Sequence, residues 1–67
     1  MNTLRLKDKI SEARLTGDEI SAALNIDPST YYRKMSAAGE SFTVSQAKIL
    51  ARLLSLSNQE AAEIFLE

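Results

Sequence analysis

The chain has 67 residues, 45% of them hydrophobic, and a formal net charge of −1, and it contains neither His nor Cys. A chain of this length has room for one hydrophobic core, so residues 1–67 are predicted to form a single domain. The absence of Cys excludes disulfides and thiolate metal sites. The commonest general base and the thiol nucleophile are also missing, so we expect neither enzymatic activity nor a cofactor.

A first helix is predicted near residues 3–13. Leu6, Ile10 and Ala13 recur at spacings of three and four, which is typical of the inner stripe of an amphipathic helix. Leu15 follows as an apolar residue that is expected to fill the corner after this helix.

A second helix is predicted between Thr16 and Asn25. Thr16 and Glu19 have the spacing of a capping box, in which each side chain accepts the backbone N–H of the other residue. Asn25 tolerates the left-handed backbone conformation that commonly ends a helix. Three apolar residues share one face of this helix: Ile20, Ala23 and Leu24.

A third helix is predicted to follow at once. Asp27 is expected to cap it, and Pro28 suits the first helical position, where its missing N–H costs nothing. Tyr31 and Met35 lie four apart and are expected to pack inward with Ile26. Two short helices joined by a tight turn are the layout of a helix-turn-helix, whose second helix enters the DNA major groove.

The third helix also has a polar face, which is the main candidate for a functional surface. Four residues at i, i+3, i+4 and i+7 share it: Ser29, Tyr32, Arg33 and Ser36. Their hydroxyl, phenol and guanidinium groups can hydrogen-bond base edges and phosphates. Arg33 could bind guanine O6 and N7 together, and Tyr32 could contact a thymine methyl or a phosphate. The alternative is that both are ordinary surface residues of a helical domain.

A loop at residues 36–42 is predicted to separate the third helix from a fourth, with Gly39 as the helix breaker. Thr43 and Gln46 have capping-box spacing, and Phe42 precedes the cap as an apolar residue that can pack onto the new helix. The inner face of the fourth helix is predicted to contain Ala47, Leu50, Ala51, Leu53 and Leu54.

A fifth helix is predicted to end the chain. Leu56 is expected to fill the corner before it, and Ser57 with Glu60 forms a third capping-box pattern. Three residues are predicted to continue the core: Ala61, Ile64 and Phe65. The pattern contains no strand-like alternation, so the fold class is expected to be all-α.

Residues 29–34, Ser-Thr-Tyr-Tyr-Arg-Lys, resemble the recognition helix of the lambda-repressor-like (Cro/CI-type, or XRE) helix-turn-helix family, particularly of small phage repressors and regulators. Residues 42–44, Phe-Thr-Val, and residues 49–57, Ile-Leu-Ala-Arg-Leu-Leu-Ser-Leu-Ser, resemble the family's fourth helix and its exit turn. The resemblance extends from Leu6 to Phe65. It implies a compact bundle of about five short helices that acts as a DNA-binding domain.

The resemblance also has departures. Many relatives have Gly where this chain has Asn25, and Gln at a phosphate-contacting position where it has Gly17. Pro28 occupies a place that often holds a polar base-contacting residue, so Ser29, Tyr32 and Arg33 are expected to carry more of the recognition.

The family resemblance and the helix positions together give candidate DNA contacts. Base contacts are expected from the third helix: Pro28, Ser29, Thr30, Tyr32, Arg33 and Ser36. Phosphate contacts are expected at the starts of the second and fourth helices and beside the recognition face: Thr16, Gly17, Lys34, Ser45 and Lys48. Each phosphate candidate could instead be a capping residue or a solvated charge.

Charge is unevenly distributed along the chain. Residues 1–52 carry all eight Lys and Arg against six acidic residues, whereas residues 53–67 carry three acidic residues and no base. Such polarity can turn a positive face toward DNA, although the small excess predicts weak and salt-sensitive non-specific affinity. Arg5, Lys7 and Lys9 are expected to form a solvated face and not a DNA contact.

These observations predict a cytoplasmic transcriptional regulator of phage or prophage type, most simply a repressor, that binds a double-stranded palindromic operator as a homodimer. Phe65 and Leu66 are adjacent and cannot both face inward, so the exposed one is a weak candidate for a dimer contact. The alternative is a protein-interaction module, such as an antirepressor, that binds another regulator instead of DNA. No apolar run approaches the roughly 20 residues of a membrane span, the N-terminal segment does not resemble a signal peptide, and Met1 is expected to be a natural start.

Overall fold

The computed structural model describes residues 1–36 and 41–66. This part of the chain contains five helices: α1 (Thr3–Ala13), α2 (Gly17–Leu24), α3 (Pro28–Met35), α4 (Val44–Leu53) and α5 (Asn58–Phe65). α2 packs against both α3 and α4, and α1 packs against α5. The predicted all-α bundle of five short helices is confirmed. The expected helix breaker, Gly39, lies outside the described residues.

Side-chain caps define where the helices begin. The three predicted capping boxes all form, each with two reciprocal hydrogen bonds of 2.9–3.1 Å: Thr16 with Glu19, Thr43 with Gln46, and Ser57 with Glu60. Asp27 caps α3 by accepting the Ser29 N–H at 2.9 Å, with Pro28 at the first helical position as predicted. Asn2 caps α1 in the same way, by accepting the Arg5 N–H at 3.2 Å, although no such cap was predicted.

Three of the helix ends share one turn design. A residue in the left-handed conformation is followed by an apolar residue that packs against the core: Arg14 then Leu15, Asn25 then Ile26, and Ser55 then Leu56. In each turn the apolar residue donates its N–H to a carbonyl five residues earlier, as in a Schellman motif. The three predicted corner residues are therefore confirmed, and the turns bring successive helices back onto a common core.

Apolar residues from every helix, together with Phe42 before α4, form the core. The buried members are Leu6, Ile10, Ile20, Leu24, Tyr31, Met35, Phe42, Leu50 and Ile64. The other residues predicted to face inward that are at least half-buried are Ala47, Ala51, Leu54, Ala61 and Phe65. The predicted inner stripes are thus largely confirmed.

Three predicted core positions are wrong, because Ala13, Ala23 and Leu53 are exposed. The buried face of α2 consists of Ile20, Ser21 and Leu24, and Ala23 lies outside it. Ser21 is buried in its place, and its Oγ donates to the Gly17 carbonyl at 2.7 Å. Ala13 and Leu53 are the last residues of α1 and α4, where the apolar residue of the following turn covers the core instead.

A polar clamp joins α1 to α5. The Asn2 N–H donates to the Ile64 carbonyl at 2.6 Å, and Lys9 forms an ion pair with Glu60. Arg5 lies 3.8 Å from a carboxylate oxygen of Glu63 and 4.0 Å from one of Glu60. Two of the three cations predicted to form a solvated face therefore hold the C-terminal helix against the N-terminal one.

The clamp should make stability depend on pH. The hydrogen bond from Lys9, followed by the backbone N–H of Ser57, lowers the pKa of Glu60 from 4.5 to about 2. The charged carboxylate therefore stabilises the folded chain above pH 4.5, and this stabilisation is lost as the pH falls from 4.5 toward 2. Glu60→Gln should accordingly lower the melting temperature at neutral pH, by an amount that shrinks steadily below pH 4.5 in circular-dichroism melts.

Glu60→Gln also distinguishes the contribution of the ion pair from that of the helix cap. Gln retains an oxygen that can accept the Ser57 N–H, as Gln46 does in the capping box of α4. Glu60→Ala removes both interactions and should melt lower than Glu60→Gln at every pH. A gap between wild type and Glu60→Gln that stays constant from pH 7 to pH 2 would show that the Lys9–Glu60 pair contributes nothing.

Candidate nucleic-acid interface

α2 and α3 form a unit of two helices joined by a three-residue turn, residues 25–27. Asn25 turns the chain with φ of 56°, as predicted, and Asp27 then caps α3. The inner side of α3 carries Tyr31 and Met35, both 5% exposed. This packing fixes the orientation of α3 and leaves its opposite side facing solvent.

The outward side of α3 brings together five of the six residues predicted to contact bases: Pro28, Ser29, Tyr32, Arg33 and Ser36 are all exposed. Thr30, the sixth, is half-buried at the edge of this surface. At about 100° per residue the five exposed side chains cover a continuous sector of the helix. The five residues define the outer face of α3.

Two hydroxyls on the outer face already have partners within the chain. The Ser29 Oγ donates to the Asp27 carboxylate at 2.7 Å, and the Ser36 Oγ donates to the Arg33 carbonyl at 2.7 Å. A base could engage these hydroxyls only by accepting through a remaining lone pair or by replacing a local bond. Tyr32 and Arg33 have the largest polar side chains of the outer face.

A carboxylate borders the outer face at its N-terminal end. The hydroxyl and then the backbone N–H of Ser29 hydrogen-bond Asp27 and lower its pKa, so the carboxylate stays charged at neutral pH. Asp18 and Glu19 are exposed in the first turn of α2, and Glu19 accepts the Thr16 N–H there. Acidic groups thus flank the cationic part of the surface and limit its attraction for phosphates.

Tyr32 does not extend straight away from α3. A Cβ built on Gly17 would lie 2.7 Å from Tyr32 Cζ, closer still to its hydroxyl oxygen, and 3.0 Å from Tyr31 Cε2. The Tyr32 ring therefore lies across the first residue of α2, while 57% of the residue remains exposed. Its ring also meets Tyr31 edge-on, with centroids 5.2 Å apart. Gly17 provides the space that this arrangement requires.

Two of the predicted phosphate contacts are engaged in contacts of their own. Thr16 accepts the Glu19 N–H at 3.1 Å as the cap of α2. Lys34 is half-buried; its Nζ donates to the Ser41 carbonyl at 3.1 Å and lies 5.8 Å from the centroid of the Phe42 ring. Lys34 therefore fastens α3 to the segment that precedes α4.

Two further residues predicted to contact phosphates, Ser45 and Lys48, are exposed near the start of α4. Lys48 lies on the wall of an apolar groove of about 410 Å³ between α4 and α5. The groove also contains Val44, Phe65 and Leu66. Leu66 is 83% exposed and Val44 74%, whereas Phe65 is half-buried, so the expectation that one of the adjacent pair Phe65 and Leu66 faces solvent is confirmed.

The contact between Gly17 and Tyr32 was not predicted from the sequence. It joins residues on two helices, and no local spacing rule relates them. The only available sequence signal was the glycine itself. The first position of a capped helix accepts most side chains, so a glycine there can indicate that another group needs the space. Its meaning depends on the angle at which α3 crosses α2.

Residues 1–36 and 41–66 contain no group of three or more acidic, His or Cys side chains placed to hold a metal ion. Within the same part of the chain, no helix combines the length and apolarity needed to cross a membrane.

Comparison with known proteins does not assign this chain to a group. It matches no family model, no curated protein and no solved structure.

Proposed function

We propose that this chain is a sequence-specific DNA-binding transcriptional regulator, most simply a cytoplasmic phage- or prophage-type repressor of the lambda-repressor-like helix-turn-helix family. The observation that carries the proposal is the α2–α3 unit. Its second helix is locked by Tyr31 and Met35, and it presents Tyr32 and Arg33 on a continuous exposed polar surface. In a helix-turn-helix protein such a surface enters the major groove.

The proposed mechanism assigns base recognition mainly to Arg33. A guanidinium matches guanine O6 and N7 with two hydrogen bonds, which is the commonest specific contact in the major groove. Ser29 and Ser36 would contact neighbouring base edges or phosphates through their hydroxyls. Occupation of the operator would then block the promoter.

The proposal includes a homodimer on a palindromic operator. One α3 contacts about one half-site, and two half-sites about 10 bp apart require two copies of the chain. The groove between α4 and α5, with the exposed Leu66, is the surface we assign to the second copy. Pairing on DNA would raise the affinity beyond what one outer face supplies.

Removal of the Arg33 side chain tests the proposal. Arg33→Ala should weaken binding to a duplex selected from a randomised pool by about 1–3 kcal/mol, or roughly 5- to 150-fold, and relax the preference at one position. Binding would be measured by fluorescence anisotropy at low and at physiological salt. Arg52→Ala is the matched control, because Arg52 is an exposed arginine on α4 whose loss changes the net charge equally.

Equal losses in the two arginine variants would mean that only net charge matters and that α3 does not select sequence. Absence of binding by the wild-type protein, even at low salt, would remove the DNA-binding proposal altogether.

A second candidate function is a protein-interaction module that binds another regulator. It is favoured by the apolar groove, which contains Phe65 and Leu66, and by the acidic residues beside the outer face of α3. Exposed apolar surface of this kind marks protein contacts. Under this alternative Leu66→Ala or Phe65→Ala should weaken partner capture, whereas Arg33→Ala should leave it unchanged.

A further inference from the structure

We infer that Gly17 is a positioning residue for Tyr32, and that the phenol hydroxyl held in this way contacts the DNA backbone and not a base. The inference rests on the proposed function and makes it more specific. It divides the outer face of α3 into a part that selects sequence, centred on Arg33, and a part that fixes the docking position.

The space above Gly17 is occupied by the rings of Tyr31 and Tyr32. Any side chain there would begin 2.7 Å from Tyr32 Cζ and 3.0 Å from Tyr31 Cε2, closer than van der Waals contact allows. Tyr31 is buried and has little freedom to move, whereas Tyr32 is 57% exposed, so the Tyr32 ring is the group that would shift. The glycine therefore decides where the Tyr32 ring lies.

The packing of the Tyr32 ring also determines where its phenol hydroxyl lies. Tyr32 is 57% exposed, yet its ring is held between Gly17 and the edge of the Tyr31 ring. The hydroxyl consequently lies beside Gly17, the first residue of α2, and does not point straight away from α3. In a docked helix-turn-helix the first helix crosses the DNA backbone, whereas the second enters the groove. A hydroxyl beside the start of α2 thus lies next to sugar and phosphate.

The charges beside the Tyr32 hydroxyl are negative. Asp18 and Glu19 are exposed in the first turn of α2, so charge opposes the approach of a phosphate there, and a backbone contact depends on a directed hydrogen bond from an uncharged donor. A phenol hydroxyl can donate a hydrogen bond without carrying a positive charge, so it forms no ion pair with these carboxylates. A lysine at the same place would be drawn to the two acids. Tyr32 is therefore a donor compatible with this acidic surrounding.

Two variants test the inference. Tyr32→Phe keeps the ring and its packing but removes the hydroxyl, and Gly17→Ala keeps the hydroxyl but displaces the ring. Each should weaken binding about fivefold or more on every duplex tested, including duplexes with altered half-site bases. Neither should change the half-site selected from a randomised pool. The double variant should bind no more weakly than the weaker single variant, because both changes remove one contact.

The salt dependence and an NMR measurement complete the test. A neutral donor releases no counterion, so Tyr32→Phe should leave the slope of log affinity against log salt unchanged, whereas loss of a cationic contact would reduce it. In the free protein, nuclear Overhauser effects should join the Gly17 Hα protons to the Tyr32 ring, and thermal melts should show that both variants are folded.

Three results would overturn the inference: a changed base preference in Tyr32→Phe, full affinity in Gly17→Ala, or no Overhauser effect between Gly17 and Tyr32. Each can be told apart from failure of the proposed function, in which the wild-type protein binds no duplex at all.

Discussion

Leu50→Ala is expected to leave the chain largely unfolded at 25 °C. Leu50 is completely buried on α4, in the core shared with α2. Truncation of a buried leucine removes its transfer free energy and leaves a cavity, which together cost about 2–5 kcal/mol. A domain of this size rarely has more than about 3–5 kcal/mol of stability, and without Cys it has no disulfide to compensate.

The matched control for this prediction is Leu53→Ala, which makes the same substitution on the same helix. Leu53 is 39% exposed, so its loss should lower the free energy of unfolding much less. Urea titrations followed by circular dichroism would give both midpoints. Similar midpoints for the two variants would mean that Leu50 does not occupy the centre of the core.

Tyr31→Ala is expected to produce the second large loss, about 3–5 kcal/mol, which is the range for truncation of buried aromatic residues. Tyr31 is 5% exposed, and its ring meets those of Tyr32 and Phe42 at centroid distances of 5.2 and 6.5 Å. Burial also raises the pKa of its phenol, because the charged form would be desolvated. Removal of this ring therefore removes packing between α3 and α2, where Tyr31 lies against Gly17.

Tyr32→Ala provides the comparison for Tyr31→Ala, since the two tyrosines are adjacent in sequence and differ in exposure. Tyr32 is 57% exposed, and its truncation should cost little more than the aromatic pair itself, about 0.5–1.5 kcal/mol. Chemical denaturation of the two variants would measure the difference. A larger loss for Tyr32→Ala than for Tyr31→Ala would reverse the assignment of the inner and outer faces of α3.

The sequence predicted the helices well because their signals are local. A capping box needs only two residues three positions apart, and all three predicted boxes form. The inner pair of α3, Tyr31 and Met35, follows from a spacing of four on a helix. The apolar residues after left-handed turns, such as Ile26, follow equally from neighbours in the chain. The sequence signals for these features involve only residues that are near one another in the chain.

The errors arose where burial depends on which helices meet. The spacing of Ala23 with its apolar neighbours predicts that it faces inward, but the buried face of α2 includes Ser21 and leaves Ala23 exposed. The hydrogen bond from Lys34 to the Ser41 carbonyl also follows from no local pattern, because its acceptor lies beyond the helix. The placement of Tyr32 over Gly17 likewise needs the angle between two helices. The spacing of apolar residues predicts which face of a helix is buried, but not how wide the buried face is or which other helix packs on it.

The hydrogen bond between Asn2 and Ile64 has a consequence for the order of folding. It joins residues separated by nearly the whole described chain, whereas α2, α3 and α4 meet through short connections. Loop-closure entropy rises with the length of chain enclosed, and contacts between nearby segments form soonest. The central helices can therefore assemble first, and α5 docks onto α1 only when the two ends of the described chain come together. The contact between α1 and α5 would also be the first to be lost on unfolding. Because α5 forms one side of the groove assigned to the second copy, its detachment would also remove that surface.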